Sequence, residues 1–168
     1  YATLRQDMVY YGSVLAVPGK AEEAASSKDE AVGDSEFAQI STGGIRHYDT
    51  ASDMEIELDE IADTIGLTVW THNNRGAWFD PASKQSATVL NALGVVQNFG
   101  TPARLSELNI LANHGINAMV YRDGSIEWTS SYTSQKTNSA LSFVSSMFLV
   151  FYIKNTMIPV YRSYLKEP

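Results

Sequence analysis

The stretch "INAMVYRDGSIEWTS", residues 116–130, constrains this chain more than any other. Two apolar runs flank the turn Arg122-Asp123-Gly124-Ser125, the pattern of a β-hairpin. A lone two-stranded hairpin is marginal in water, so residues 116–129 must join a wider sheet. The opening "DMVYYGSVLAVPG" is rich in Val and Tyr and closes at Pro18-Gly19. A strand over residues 8–17 is equally unable to bury itself, and the two predict one shared sheet.

The intervening chain alternates strand and helix signals. Residues 20–36 are mostly Ala, Ser, Glu, Asp and Lys, which predicts a mobile acidic loop. Residues 40–49 predict a further loop with a double-glycine turn. Ser52 and Glu55 have capping-box spacing, so a helix is expected to begin near Ser52. Met54, Leu58, Ile61 and Ile65 then form an apolar stripe, with Glu57, Asp59, Glu60 and Asp63 towards water. Gly66 ends that helix, unless Val69 extends the stripe by another turn. Residues 86–99 predict a strand. Thr101-Pro102 marks a helix start, Leu105, Leu108 and Leu111 its apolar face, and Gly115 its end. A long helix follows Asn138, with Pro159 expected to kink or stop it. This order predicts a mixed α/β fold, a mixed β-sheet flanked by helices.

The 168 residues, 44% of them hydrophobic, suit a single domain or a fragment of one. The absence of cysteine excludes disulfides, thiolate metal sites and a cysteine nucleophile. The net charge of −7 is uneven: residues 20–63 carry thirteen acidic and three basic side chains, and the remainder carries a net +3. That distribution disfavours nucleic acid and suits head-to-tail contact between copies, or else a solvated acidic face beside a mobile loop. The start at Tyr1-Ala2-Thr3 carries no secretory signal and reads as an excised or processed segment. Serines, Lys154 and Asn155 interrupt the most apolar run, residues 139–158, which predicts a buried helix and no membrane insertion.

Residues 66–85, "GLTVWTHNNRGAWFDPASKQ", hold the strongest candidates for chemistry, since His72, Arg75 and Asp80 lie among aromatics. The rival readings are a catalytic loop and a joint between scaffold pieces. His47, His72 and His114 form no i, i+4 pair for a metal. Ser41 and Ser83 lack a Gly-x-Ser-x-Gly elbow, and "GTPARLSELN" is too poor in glycine for a phosphate loop. Asp123 and Glu127 read as a turn aspartate and a strand glutamate rather than an acid–base pair. Large aromatics such as Trp70, Trp78 and Phe79 more often wedge a loop against a core than cage a ligand. No catalytic, cofactor or metal residue is assigned.

The order of these motifs resembles the contractile tail sheath proteins of bacteriophages and related injection machines. The resemblance runs through Ile61 to Leu67, the turn Thr71 to Arg75, Trp78 with Pro81-Ala82, Leu111 with Gly115-Ile116-Asn117, Gly124, Trp128, Thr133 and Ser139-Ala140-Leu141. The sequence departs from the family pattern at Thr129, where a glycine is usual, and at Met147-Phe148, where an arginine pair is usual. The resemblance implies a sheath-like core domain that continues beyond this C-terminus. It implies a structural subunit that polymerises as a helical tube of copies around an inner tail tube. Its further partners would be baseplate and tail terminator proteins, and it would form part of a virion assembled in the host bacterial cytoplasm. Contraction would drive the tube through the host envelope. On this reading Trp70, Arg75, Trp78, Asp80 and Pro81 form a structural joint, with Trp78 buried against the helix begun near Ser52. Arg75 would bond turn carbonyls or reach a neighbouring subunit. Ile116, Asn117, Val120, Gly124 and Trp128 belong to an assembly sheet. The rivals are a small α/β hydrolase-like or ligand-binding domain using His72, Asp80 and the tryptophans, and a monomeric adaptor or capsid-associated module.

Overall fold

The computed structural model describes residues 8–82, 92–97, 99, 101–122 and 124–165. A four-stranded sheet organises them, in the order β1 (Tyr10–Ser13), β2 (Ala38–Thr42), β6 (Ile116–Arg122), β7 (Ser125–Trp128). The first three strands run parallel, and β7 returns antiparallel from β6. The hairpin and the N-terminal strand thus share one sheet, with β2 between them. A second sheet has the order β4 (Met54–Asp59), β3 (Gly44–Asp49), β5 (Ala92–Val95). The mixed α/β class expected from the sequence is the class observed.

The alternation of side chains along β6 divides the core. Ile116, Ala118 and Val120 face one side, where they meet Ile40, Phe99 and two helices, α1 (Ala21–Ala31) and α3 (Leu105–Asn113). Met119, with Ile126 and Trp128 from β7, faces the other side. There it meets Ile45 of β3 and Leu67 of α2 (Ile61–Arg75).

Two sequence expectations are corrected here. Residues 20–36 are not a mobile loop, because α1 occupies most of them. Ala21, Ala24, Ala25 and Lys28 recur at helical spacing and are all buried. Alanine has the highest helix propensity and lets a helix lie close to a sheet, so a segment poor in large apolar residues still finds a seat. Nor does a helix start near Ser52. Met54, Ile56 and Leu58 alternate with Glu55, Glu57 and Asp59, a period of two, and β4 pairs with β3 from Met54↔Asp49 to Asp59↔Gly44. Ser52 and Asp49 instead build the turn between them: the Ser52 hydroxyl and the Ala51 and Ser52 amides donate to the Asp49 carboxylate. The helix begins at Ile61, and its buried face is Thr64, Leu67, Thr68 and Thr71.

The loop expected over residues 40–49 is two strands. Gly43, at φ +150°, is the single residue between β2 and β3 and takes the chain from one sheet to the other. The strand expected over residues 86–99 appears as β5 in its described part; residues 83–91 and 98 lie outside the described residues. Pro102–Arg104 form a 3-10 turn before α3, and Gly115 ends the helix region at φ +67°. Ser139 caps a second short turn, Ala140–Ser142, after which α4 runs from Val144 to Tyr164. Pro159 does not stop it. Among the described residues no helix is long and apolar enough to cross a membrane.

Candidate functional site

Much of the stretch expected to be a loop over residues 66–85 is the body of α2, which ends where Gly76 adopts φ +107°. Trp78 folds back over that glycine: a Cβ on Gly76 would lie 2.7 Å from the indole Cζ2. Only glycine accommodates both the backbone angle and the ring. The ring's outer side meets Tyr152 of α4 edge-on, with centroids 6.5 Å apart. Trp78 nevertheless remains 56% exposed, so it is not the buried wedge expected. Trp70 lies on α2 and is also exposed, its carbonyl accepting from Asn74 Nδ2. The Arg75 guanidinium lies 5.9 Å from the Phe79 ring centroid.

Asp80 holds the segment after α2 by hydrogen bonds. The Asp80 carboxylate accepts from the Ala82 amide at 2.8 Å and from the Ser131 hydroxyl, tying this corner to the segment after β7. Pro81 is buried beside it. His72 points elsewhere: its ring meets Phe148 of α4 edge-on at 4.4 Å, and its Nε2 has no hydrogen-bond partner. Burial lowers its pKa, favouring the neutral ring. His47 pairs with Asp63 at 3.0 Å and His114 with Asp29 at 3.2 Å, so the three histidines occupy three separate settings. Among the described residues no three His, Asp or Glu side chains converge as a metal site. Asp123 lies outside the described residues, which leaves the Asp123–Glu127 pairing there too.

The sheet residues are more tightly built. Ile116, Val120 and Trp128 are buried, and Gly124, at φ +83°, turns the hairpin. Asn117 is fully buried and satisfied on both ends of its amide. Its Nδ2 donates to the Ile40 and Tyr132 carbonyls, and its Oδ1 accepts from the Tyr132 amide and the Ser130 hydroxyl. It therefore clamps the segment after β7 onto β2.

Sequence reasoning missed a second clamp. Lys28, with its side chain buried on α1, donates to the Ser134 carbonyl at 2.8 Å. Asp29 beside it takes Lys136 at 2.6 Å and His114. Burial lowers the Lys28 pKa against the raising pull of Asp29. The available signal was Lys28 at the seventh position after Ala21, on the alanine face.

Each sheet ends on two edge strands: among the described residues β1 pairs only with β2 and β7 only with β6, while β4 and β5 each pair only with β3. Tyr10 and Val14 donate their amides towards β2, to Phe37 and Ser41, so alternation turns those of Tyr11 and Ser13 away. A largely apolar groove of about 420 Å³ runs beside β1, lined by Val9, Tyr11, Val69, Phe148 and Phe151 among others.

No protein-family model and no curated protein matches this chain. Solved structures do match it. A chain of the anti-feeding prophage helical sheath in its contracted state superimposes with a TM-score of 0.70, at 23% identity, over 99% of this chain and 42% of that one. The sheath complex of an extracellular contractile injection system, PVC, also in its contracted state, gives 0.70 at 18% identity, over 95% and 42%. A chain of the six-fold symmetrised anti-feeding prophage baseplate gives 0.67 at 20%, over 95% and 39%. The chain thus spans about two-fifths of the length of the chains it matches. Its fold is the one found in that part of contractile injection system sheath and baseplate assemblies.

Proposed function

We propose that this chain is the core segment of a contractile sheath subunit, a structural protein without catalytic activity. Copies of it polymerise into a helical tube around an inner tube, seated on a baseplate and closed by a terminator protein. The particle is a phage-type contractile tail assembled in the host cytoplasm, and its shortening drives the inner tube through an envelope. The observation that carries this reading is the superposition of 99% of the chain on a sheath subunit.

The physical design supports the same reading. Asn117 and Lys28 lock the body of the domain, whereas β1 and β4 present main-chain donors and acceptors at sheet edges. A strand from a neighbour added at such an edge holds subunits by backbone pairing while their bodies rotate. Heterologous contacts that do not close generate a helical filament. The groove beside β1 would receive the side chains of the added strand.

The test is electron microscopy of the full-length protein with its inner-tube partner, in parent form and with Val120→Pro. The parent should give tubes that shorten on triggering. The proline removes a ladder donor in a central strand and should abolish tubes. Normal contracting tubes from the variant, or isolated monomers from the parent at every concentration tried, would overturn the reading.

A further inference from the structure

Helix α2 lies on the first sheet through a seam of polar side chains. Strand alternation turns Ile40 towards α1 and α3, so Gln39 and Ser41 face the other side with their register partners Tyr11 and Ser13. The buried face of α2 is Thr64, Leu67, Thr68 and Thr71. Leu67 joins the apolar cluster of Met119, Ile126 and Trp128. The threonines lie along the polar strip: Thr68 meets the Tyr11 hydroxyl, and about two turns earlier Glu60 faces the Ser41 hydroxyl.

Buried hydrogen-bonding groups in folded proteins are nearly all paired, and this seam departs from that rule. The Gln39 amide, the Ser41, Thr64 and Thr71 hydroxyls and both Glu60 carboxylate oxygens have no partner, and all five side chains are buried. Asn117, the register partner of Ser41 on β6, has its amide bonded to Ile40, Ser130 and Tyr132 instead. Among the described residues no cation reaches Glu60 either. His47 of β3 is paired with Asp63, and Asp59 at the end of β4 carries the same sign as Glu60. Asp59 itself is held by the Ser13 hydroxyl and the Ile61 amide. The Glu60 carboxyl also lies under the one residue between β2 and β3: a Cβ on Gly43 would stand 3.8 Å from Glu60 Oε2.

We propose that Glu60 is a proton-operated latch on this seam: its neutral carboxyl lets α2 lie against β2, and its ionisation loosens α2 from Ile61 to Thr71 and admits water to the strip. A carboxylate without a cation is the hardest group to keep dry, and here only solvent can relieve it. The seam is also where the body parts most readily, since Leu67 is the only large apolar residue on the buried face of α2. On the opposite face Ala24, Leu111 and Ile116 hold α1 and α3 in an apolar cluster. Burial raises the Glu60 carboxyl to about 7, so the latch is closed in mild acid and loosens above neutrality. The device belongs to a single chain and stands or falls apart from the sheath reading.

The chain has no cysteine, so a single introduced thiol reports the entry of solvent. Thr64→Cys places it in the strip, and Val120→Cys places it on the opposite face of the sheet; both sites are buried. Labelling of the full chain is measured at pH 6 and pH 8, each rate relative to the unfolded chain at the same pH, with far-UV circular dichroism to check folding. Thr64→Cys should label roughly tenfold faster at pH 8 than at pH 6, the rise expected when a carboxyl held near 7 in the closed state relaxes to its ordinary value in the open one. It should also label at least about tenfold faster than Val120→Cys at pH 8, because local opening precedes unfolding of the whole chain. Glu60→Gln in the Thr64→Cys background should abolish the rise. If an introduced thiol disturbs the fold, amide hydrogen exchange over residues 61–71 against residues 21–31 carries the same expectations. Equal rates at the two sites mean that solvent enters only by unfolding of the whole chain, which overturns the latch. Rates that do not rise with pH, or a rise that survives Glu60→Gln, overturn it too.

Discussion

Glu60 sits where two chain corners cross, at the start of α2 and beneath Gly43. It is fully buried, and neither carboxylate oxygen has a hydrogen-bond partner. Burial raises its pKa to about 7; the Ser41 hydroxyl facing it opposes the rise, and neighbouring Asp59 adds to it. The sign follows directly. Below the unfolded value both states hold the proton, and the group costs nothing. Between that value and about 7 only the folded state holds it, so stability falls as pH rises, by on the order of 3 kcal/mol once the range is crossed. Denaturant titrations at pH 5 and pH 8 should show that loss, and Glu60→Gln should remove most of it; an unchanged slope in the variant rejects the assignment. The tryptophans make a second contrast. Trp128, 3% exposed, should cost roughly 3–5 kcal/mol on replacement by alanine, whereas Trp78, 56% exposed, should cost less than about 2. Equal melting shifts for the two variants would contradict this. Gly115 combines φ +67° with a Thr133 carbonyl oxygen 2.6 Å from any added Cβ. Gly115→Ala should therefore lose at least about 2 kcal/mol by the same assay.

At the scale of elements, hairpin β6–β7 was legible because its apolar runs flank a turn whose glycine needs positive φ. Gly115 was legible as a helix end for the same reason. β4 was misread because Met54 and Leu58 satisfy a helical step of four while Met54, Ile56 and Leu58 satisfy a strand's step of two. Pairing with β3 decided between them. α1 was misread because alanines bury little area by themselves, and the seat that makes them core residues comes from Ile40, Leu111 and Ile116, far away in sequence. If α1 is core, Ala24→Glu should destabilise the whole fold, by about 2–4 kcal/mol from burying an unpaired charge and overpacking. A mobile segment would absorb the change, and unchanged unfolding would say so.

The whole molecule joins a locked body to open edges. If β1 receives a neighbour's strand, Ser13→Pro should leave the monomer folded but prevent tubes, because it removes an outward amide. Ser13→Ala, which loses only the hydroxyl bond to Asp59, should assemble normally. Tubes from the proline variant would exclude that edge. Of the candidate joint, only the bond from the Ala82 amide to the Asp80 carboxylate is local enough for a sequence pattern to carry; the Ser131 hydroxyl on the same carboxylate comes from a segment distant along the chain. The sequence alone determined the hairpin, the cysteine-free chemistry, the charge asymmetry and the α/β class, all of which rest on local patterns or composition. Only the tertiary structure decided that Trp78 covers Gly76 instead of entering the core, that Lys28 and Asn117 clamp the segment after β7, and that the acidic stretch is a packed helix and an edge ribbon. The reason is that burial and edge position belong to pairs of segments distant along the chain, and no local period records which pair will meet.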